Sequence, residues 1–255
     1  MSRDEDLTAI ETVRCWSFSS GSLVETVQET CAEEIVRIIL NGRVLSTQVA
    51  TPTQLRELGA GFVVSSGLAD SISEVRVEGS TIRVWAPELG RPSVEVTESS
   101  GGPSSEARAS RVTSDLVIGA DEVFTVISQI VSELWERTGG AHCSVLFSDG
   151  VIVAKSSDIG RHNTVDKVIG HAILNGIDLK RCVLGCTGRQ PTGMVSKAAN
   201  AGIPIVVSKA ATTREGALTA QETGVTLVGR VKKGSFCVYS HPWRIALETG
   251  PQEVL

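Results

Sequence analysis

The apolar positions of this chain change period several times, and each change predicts an element. "IVRIILNGRVLSTQVA" sets two apolar runs on either side of Asn41-Gly42, which predicts a hairpin. In "TPTQLRELGAGFVVSSG", Leu55, Leu58, Phe62 and Val63 share one helical face; Thr51 reads as the N-cap and Pro52 as the first helical residue. "VRVEGSTIRVW" predicts a second hairpin, turning at Glu78-Gly79-Ser80. The stretch from Glu98 to Ser110, rich in Ser, Gly and Glu, has too little apolar character to pack. A flexible loop at 98–114 therefore divides a smaller α+β domain, 1–97, from a larger one, 115–255.

The second part carries a stronger pattern. Val123, Phe124, Ile127, Ile130, Val131 and Leu134 form one helical stripe that ends at Gly139-Gly140. "SVLFSDGVIVA" predicts a hairpin on Asp149-Gly150, and Thr164–Asn175 a helix. "RCVLGCT" and "IPIVVSK" read as strands leading into the helices "PTGMVSKAANAG" and "ALTAQETG"; "VTLVGRV" and "SFCVYS" read as closing strands. Strands alternating with helices predict an α/β fold on a mostly parallel sheet.

Composition changes this picture little. The chain has 255 residues, 41% hydrophobic and 21% charged, an ordinary globular mixture. A net charge of −5 without a basic run, and only 4% aromatics, argue against nucleic acid or an anionic membrane as partner. No apolar run approaches the ~18 residues of a membrane span, and the acidic start "MSRDEDLTAIE" is not signal-like, so a soluble cytoplasmic protein is expected. The six cysteines, 15, 31, 143, 182, 186 and 237, include no C-x-x-C. Cys182 and Cys186 sit on one strand, roughly 13 Å apart, too far to bridge.

The chemistry concentrates in "SSDIGRHNTVDKVIG". Asn163 with Asp166 has the spacing of a capping box, and Lys167 with His171 that of a solvated helical face. Neither accounts for Gly160-Arg161-His162 just before a helix, where free backbone N–H groups and the dipole already favour an anion. An Arg fork and a His there make a phosphate or carboxylate site. The arrangement recurs at Gly188-Arg189 in "CTGRQPTGM" and at Thr212, Thr213 and Arg214 in "SKAATTREG". Ligands of open α/β sheets bind beyond the carboxyl ends of the strands, so these turns are expected to converge on one polyanion. Neither a Walker loop nor G-x-G-x-x-G is present, which disfavours ordinary ATP and NAD sites. His142 and Cys143 in "TGGAHCSV" are adjacent strand residues expected to face opposite ways, one to the core and one to an edge.

Taken together, "NGRVL", "ATPTQLRELGAGFVVSSGL", "TGGAHCSVL", "DIGRHNTVDKVIG", "CTGRQPTGMVSKAANAGIPIVVSK" and "VTLVGRVKKGSFCVYSHPWRI" resemble the FdhD family of formate dehydrogenase accessory proteins, in order and over most of the chain. The resemblance implies a cytidine-deaminase-like larger domain, a homodimer, and a role in maturing formate dehydrogenase. It implies binding of the molybdenum or tungsten bis(molybdopterin guanine dinucleotide) cofactor as cargo, with GDP or GMP as fragment mimics, and sulfur transfer to the metal from a cysteine desulfurase. By the resemblance, His142, the 160–167 turn and Arg230, Val231, Lys232, Lys233, Gly234 and Ser235 would touch the cofactor. Family sulfur carriers have a C-x-x-C between their two parts, whereas "TESSGGPSSEARAS" has no cysteine. A persulfide needs a thiolate, and Cys143 is then the remaining catalytic candidate. Two other readings are weaker. A zinc deaminase requires H-x-E and P-C-x-x-C, and "AHCS" supplies neither. A silent interaction module would leave the arginine turns as surface charge.

Overall fold

The computed structural model describes residues 9–89 and 109–247. The expected loop lies outside the described residues except for its C-terminal end. The chain opens with a long two-stranded ribbon, β1 (Ile10–Ser19) and β2 (Ser22–Cys31). A four-stranded sheet follows in the order β4-β3-β6-β5, built from β3 (Glu34–Leu40), β4 (Arg43–Ala50), β5 (Glu74–Glu78) and β6 (Thr81–Trp85). The Asn41-Gly42 hairpin is formed as expected: both residues have positive φ, 48° and 87°, which the tight turn between right-twisted strands demands. Leu58, Phe62 and Val63 on α1 (Leu55–Ser65) cover this sheet's apolar face.

The start of α1 corrects the expected cap. Gln54, in left-handed conformation, is the N-cap, and Thr51 and Pro52 lie before the helix. Thr51 has another task. Its hydroxyl accepts the Ile159 N–H at 3.2 Å, and its own N–H donates to Asp158 at 3.1 Å.

The larger sheet has six strands in the order β13-β12-β11-β10-β8-β9. They are β8 (His142–Ser148), β9 (Val151–Asp158), β10 (Val183–Cys186), β11 (Ile205–Ser208), β12 (Thr226–Lys232) and β13 (Ser235–Val238). A short parallel pair, β7 (Ile118–Gly119) with β14 (Ile245–Ala246), lies beside it. Side chains alternate across the sheet. Leu184, Val206 and Leu227 pack on one face with α4 (Arg161–Leu174), α5 (Thr192–Asn200) and α6 (Arg214–Thr223). Val183, Ile205 and Val228 pack on the other with α2 (Ala120–Ser128). Burial on both faces explains why these strands read as unbroken apolar runs.

The fold is α/β, but the sheet is mixed rather than mostly parallel. Only β10–β11 and β11–β12 run parallel; β8–β9, β8–β10 and β12–β13 are antiparallel. The Asp149-Gly150 and Lys233-Gly234 turns are too short for a crossover and fold the chain straight back. The long stripe from Val123 to Leu134 is likewise two helices, α2 and α3 (Glu133–Thr138). Ser132 between them is extended and accepts the Trp135 N–H on its hydroxyl, starting a new helix and leaving Val131 exposed.

Candidate functional site

The loop after β9 is built around one carboxylate. Asp158 is fully buried and accepts four hydrogen bonds, from Gly160 N–H (2.8 Å), Asn163 Nδ2 (2.8 Å), Thr51 N–H (3.1 Å) and Lys167 Nζ (2.6 Å). These bonds fix the turn 158–163 and start α4 at Arg161, three residues earlier than the sequence predicts. The expected capping box is not formed. Asn163 is buried and also donates to the Val49 carbonyl, while Asp166 pairs with Lys197 at 2.8 Å and accepts from Ser65 Oγ. Nor is Lys167 on a solvated face: it is buried against Asp158 and the Thr51 carbonyl, and His171 is half-buried. Asn163, Asp166 and Lys167 are thus buried footings of the loop rather than exposed polar groups.

Above them Arg161 and His162 stand at the N-terminus of α4, where the first backbone N–H groups lack helical acceptors. The Arg161 side chain runs over Gly188; a Cβ there would lie 2.9 Å from that of Arg161, so glycine is what lets the loop approach. Burial first, and then the neighbouring Arg189, push the Arg161 guanidinium below its ordinary pKa. Guanidiniums beside a helix N-terminus are the kind of groups that can hold an anion. His162 is held neutral, its pKa lowered to about 3 by burial, then by Lys197, Arg161 and His142. Its Nε2 is buried without a hydrogen-bond partner among the described residues. His142 is also pushed down, first by burial and then by Arg161.

The loops after β10 and β11 are stitched together. Gln190 N–H donates to the Ala211 carbonyl at 3.1 Å, and Thr213 N–H to the Gln190 carbonyl at 3.2 Å. Thr212 Oγ1 also donates to the Gln190 carbonyl (2.8 Å), and Thr213 caps α6 by accepting the Gly216 N–H. Both hydroxyls therefore hold loops, and α6 begins at Arg214 rather than at Ala217. Arg214 pairs with Glu215 in solvent and does not join the cradle. Arg230 comes alongside through its N–H to the Ala210 carbonyl (2.9 Å), in a positive-φ bulge that turns its side chain outward. Val231 is buried, whereas Lys232, Lys233, Gly234 and Ser235 are exposed.

Thr187, which the sequence did not single out, joins β8 to the loop after β10. Its hydroxyl lies 3.0 Å from His142 Nδ1 and accepts the Cys143 N–H at 3.1 Å. Its signal was position: the first polar residue past the carboxyl end of β10. His142 is half-buried and Cys143 buried, the split expected for adjacent strand residues. Cys143 is 2% exposed among Val145, Val228 and their neighbours, poor surroundings for a nucleophile. A cavity of 440 Å³ adjoins this corner, walled by Ile130, Val131 and Trp135 on one side and His142, Thr187 and Lys209 on the other.

The chain has known relatives. Residues 31–246 match the family model described as the FdhD/NarQ family. The chain belongs to the FdhD/NarQ family. It is 33% identical to the sulfur carrier protein FdhD of Methanothermobacter thermautotrophicus, over 82% of this chain and 88% of that protein. With the sulfur carrier protein FdhD of Bacillus subtilis it shares 28% identity over 95% and 99% of the two chains. A crystal structure from Desulfotalea psychrophila, assigned as a formate dehydrogenase accessory protein, superposes with a TM-score of 0.78 at 27% identity, covering 93% of this chain and all of that one. The FdhD/NarQ match spans the four-stranded and six-stranded sheets, and the turns Gly160–His162 and Thr187–Gln190 lie within it.

Proposed function

We propose that this FdhD/NarQ protein is a formate dehydrogenase accessory protein that holds the bis(molybdopterin guanine dinucleotide) cofactor as cargo. The observation that carries the reading is the pairing of Arg161 with Arg189 across Gly188, at the N-terminus of α4 and above a buried footing. A pyrophosphate lying against both guanidiniums would accept charge-assisted hydrogen bonds from each. Exposed Arg230, Lys232 and Lys233 extend the positive rim for the second nucleotide. The neutral imidazoles of His142 and His162 offer hydrogen bonds to a polar ring without adding charge.

Sulfur transfer is the less supported half of the family role. The segment 98–110 contains no cysteine, and Cys143 is buried in an apolar cluster. The reading favoured here is therefore a carrier of the cofactor rather than of sulfur. Calorimetric titration with GDP tests the binding. The wild-type protein should bind, and an Arg161→Ala, Arg189→Ala double variant should bind at least ~100-fold more weakly, since each phosphate loses a charge-assisted donor. Unchanged affinity in the double variant would sink the proposal. Complementation of a strain lacking its own FdhD, with formate dehydrogenase activity as readout, tests the cellular role.

A further inference from the structure

Thr187 stands where β8 meets the loop after β10, and its one hydroxyl hydrogen decides what His142 offers to a ligand. A hydroxyl donates once and accepts on two lone pairs. Thr187 Oγ1 accepts the Cys143 N–H at 3.1 Å and lies 3.0 Å from His142 Nδ1. Among the described residues that hydroxyl has no other partner, so its hydrogen goes to Nδ1. A neutral imidazole carries a single N–H, and with Nδ1 accepting, it sits on Nε2. The opposite tautomer would aim Nδ1–H at an oxygen that already receives a hydrogen. The hydroxyl's own hydrogen would then have no described acceptor. Burial first, and then Arg161, hold the His142 pKa below its ordinary value against the opposing pull of Asp158, so the ring is neutral at pH 7 and above.

Nε2 has no hydrogen-bond partner among the described residues, and the ring lines the 440 Å³ cavity. Opposite it lie Ile130, Val131 and the exposed ring of Trp135, an apolar wall on which a flat ring can rest. Lys209 stands on the polar side, donates only, and forms no ion pair with a described residue. Ser132, also in the wall, is engaged as the cap of α3.

We infer that Thr187 is a positioning residue: by fixing the Nε2–H tautomer of His142, it makes the polar wall of this cavity a donor wall, matched to a flat ring that carries a keto oxygen. This rests on the protein holding the guanine dinucleotide cofactor, and it adds which edge of a ring faces His142. Guanine and pterin rings both present a keto oxygen. Adenine presents an amino group at that place, a donor set against donors.

Two measurements on the full chain test this. In long-range proton–nitrogen spectra of the isotope-labelled free protein at pH 8, the His142 ring, identified by its loss in His142→Gln, should show a protonated Nε2 and a bare Nδ1. Thr187→Val keeps the shape of the side chain, removes the hydrogen and should lose that fixed pattern; Thr187→Ser should keep it. Thermal unfolding checks that both variants are folded. By calorimetry, the wild-type protein should bind GDP and inosine diphosphate alike, and ADP about 10-fold more weakly or more. Thr187→Val should narrow that preference to about 3-fold or less, and Thr187→Ser should retain it. Displacement of GDP by a phosphate-free pterin would assign the cavity to the pterin ring, and its absence to guanine; the donor is the same for both. A protonated Nδ1 in the wild-type protein, or a tautomer unmoved in Thr187→Val, overturns the proposal, and so does equal affinity for GDP and ADP. Failure of all three nucleotides to bind would overturn the cargo reading and the ring selection with it, while the spectrum of the free protein still decides whether Thr187 sets the tautomer.

Discussion

A cysteine's place in this fold decides its chemistry. Cys143, Cys182 and Cys186 are buried, and burial lifts the thiols of Cys182 and Cys186 to about 11 and about 12. Cys186 lies in the core of the larger sheet, where Gln190 Nε2 donates to its sulfur at 2.9 Å. Cys237, on edge strand β13, is exposed. Alkylation with iodoacetamide at pH 8, followed by peptide mass spectrometry, should modify Cys237 at the rate of a free thiol. The three buried residues should react roughly 100-fold more slowly or more, until the protein is unfolded. Rapid labelling of Cys143 would show that its sulfur opens to solvent and would restore it as a candidate for sulfur transfer. At this scale the sequence was legible where a residue type has one use. Gly160-Arg161-His162 and Gly188-Arg189 stand out as Gly-Arg turns before helices, and the structure brings Gly188 against the Arg161 side chain. Lys167 was misread because helical spacing alone cannot tell a solvated i, i+4 face from one pressed against another helix, and Asp166 because the helix starts at Arg161, so Asn163 does not cap it.

That other helix is α1, and the contact between α1 and α4 is where local pattern gave least warning. The two helices cross at Gly61 and Gly170. A Cβ on Gly61 would fall on the Asp166 carbonyl, and one on Gly170 on the Glu57 carbonyl, so the backbones touch with no side chain between them. Glycine in mid-helix is ordinarily a cost of about 1 kcal/mol against alanine, and the usual remedy is to replace it. Here the sign reverses. Gly61→Ala should destabilise the protein by about 3 kcal/mol or more, seen as a lower urea midpoint with an unchanged slope, because neither backbone can give way. Gly79→Ala, in an exposed turn whose φ of 56° strains any side chain but whose surroundings are open, should cost only about 1 kcal/mol. Equal effects would mean that α1 and α4 can separate to admit a methyl group. The hairpins on Asn41-Gly42 and Asp149-Gly150 were readable because a two-residue turn carries its own signal. The break at Ser132 and the β1–β2 ribbon were not: the first hides inside a continuous apolar stripe, and the second leaves its apolar residues largely exposed, so no buried face marks it.

The crossing also explains how the molecule holds its positive cradle in one piece. Behind the cradle, Asp158–Lys167 and Asp166–Lys197 are buried ion pairs that tie Thr51, just before α1, and Ser65, its last residue, to α4 and α5. They make a rigid, water-poor floor, and His162 rests on it as a neutral ring. Acid stability follows from that. The folded pKa of His162, about 3, lies below the ~6.5 of an unfolded imidazole, so the unfolded chain binds the proton more readily. The ring's contribution is complete above pH 6.5 and is lost as the pH falls toward 3, at about 1.4 kcal/mol per unit. Between pH 7.5 and pH 5 the free energy of unfolding should drop by about 2 kcal/mol on this account alone, read from urea melts across that range. His162→Gln removes the titrating group but keeps a polar side chain of similar reach, so its melts should lack that acid-side decline. If wild type and variant decline in parallel, His162 is not the buried neutral ring of this structure. The site would then be wetter and more open than the floor beneath it implies, and the cradle's grip on an anion correspondingly weaker.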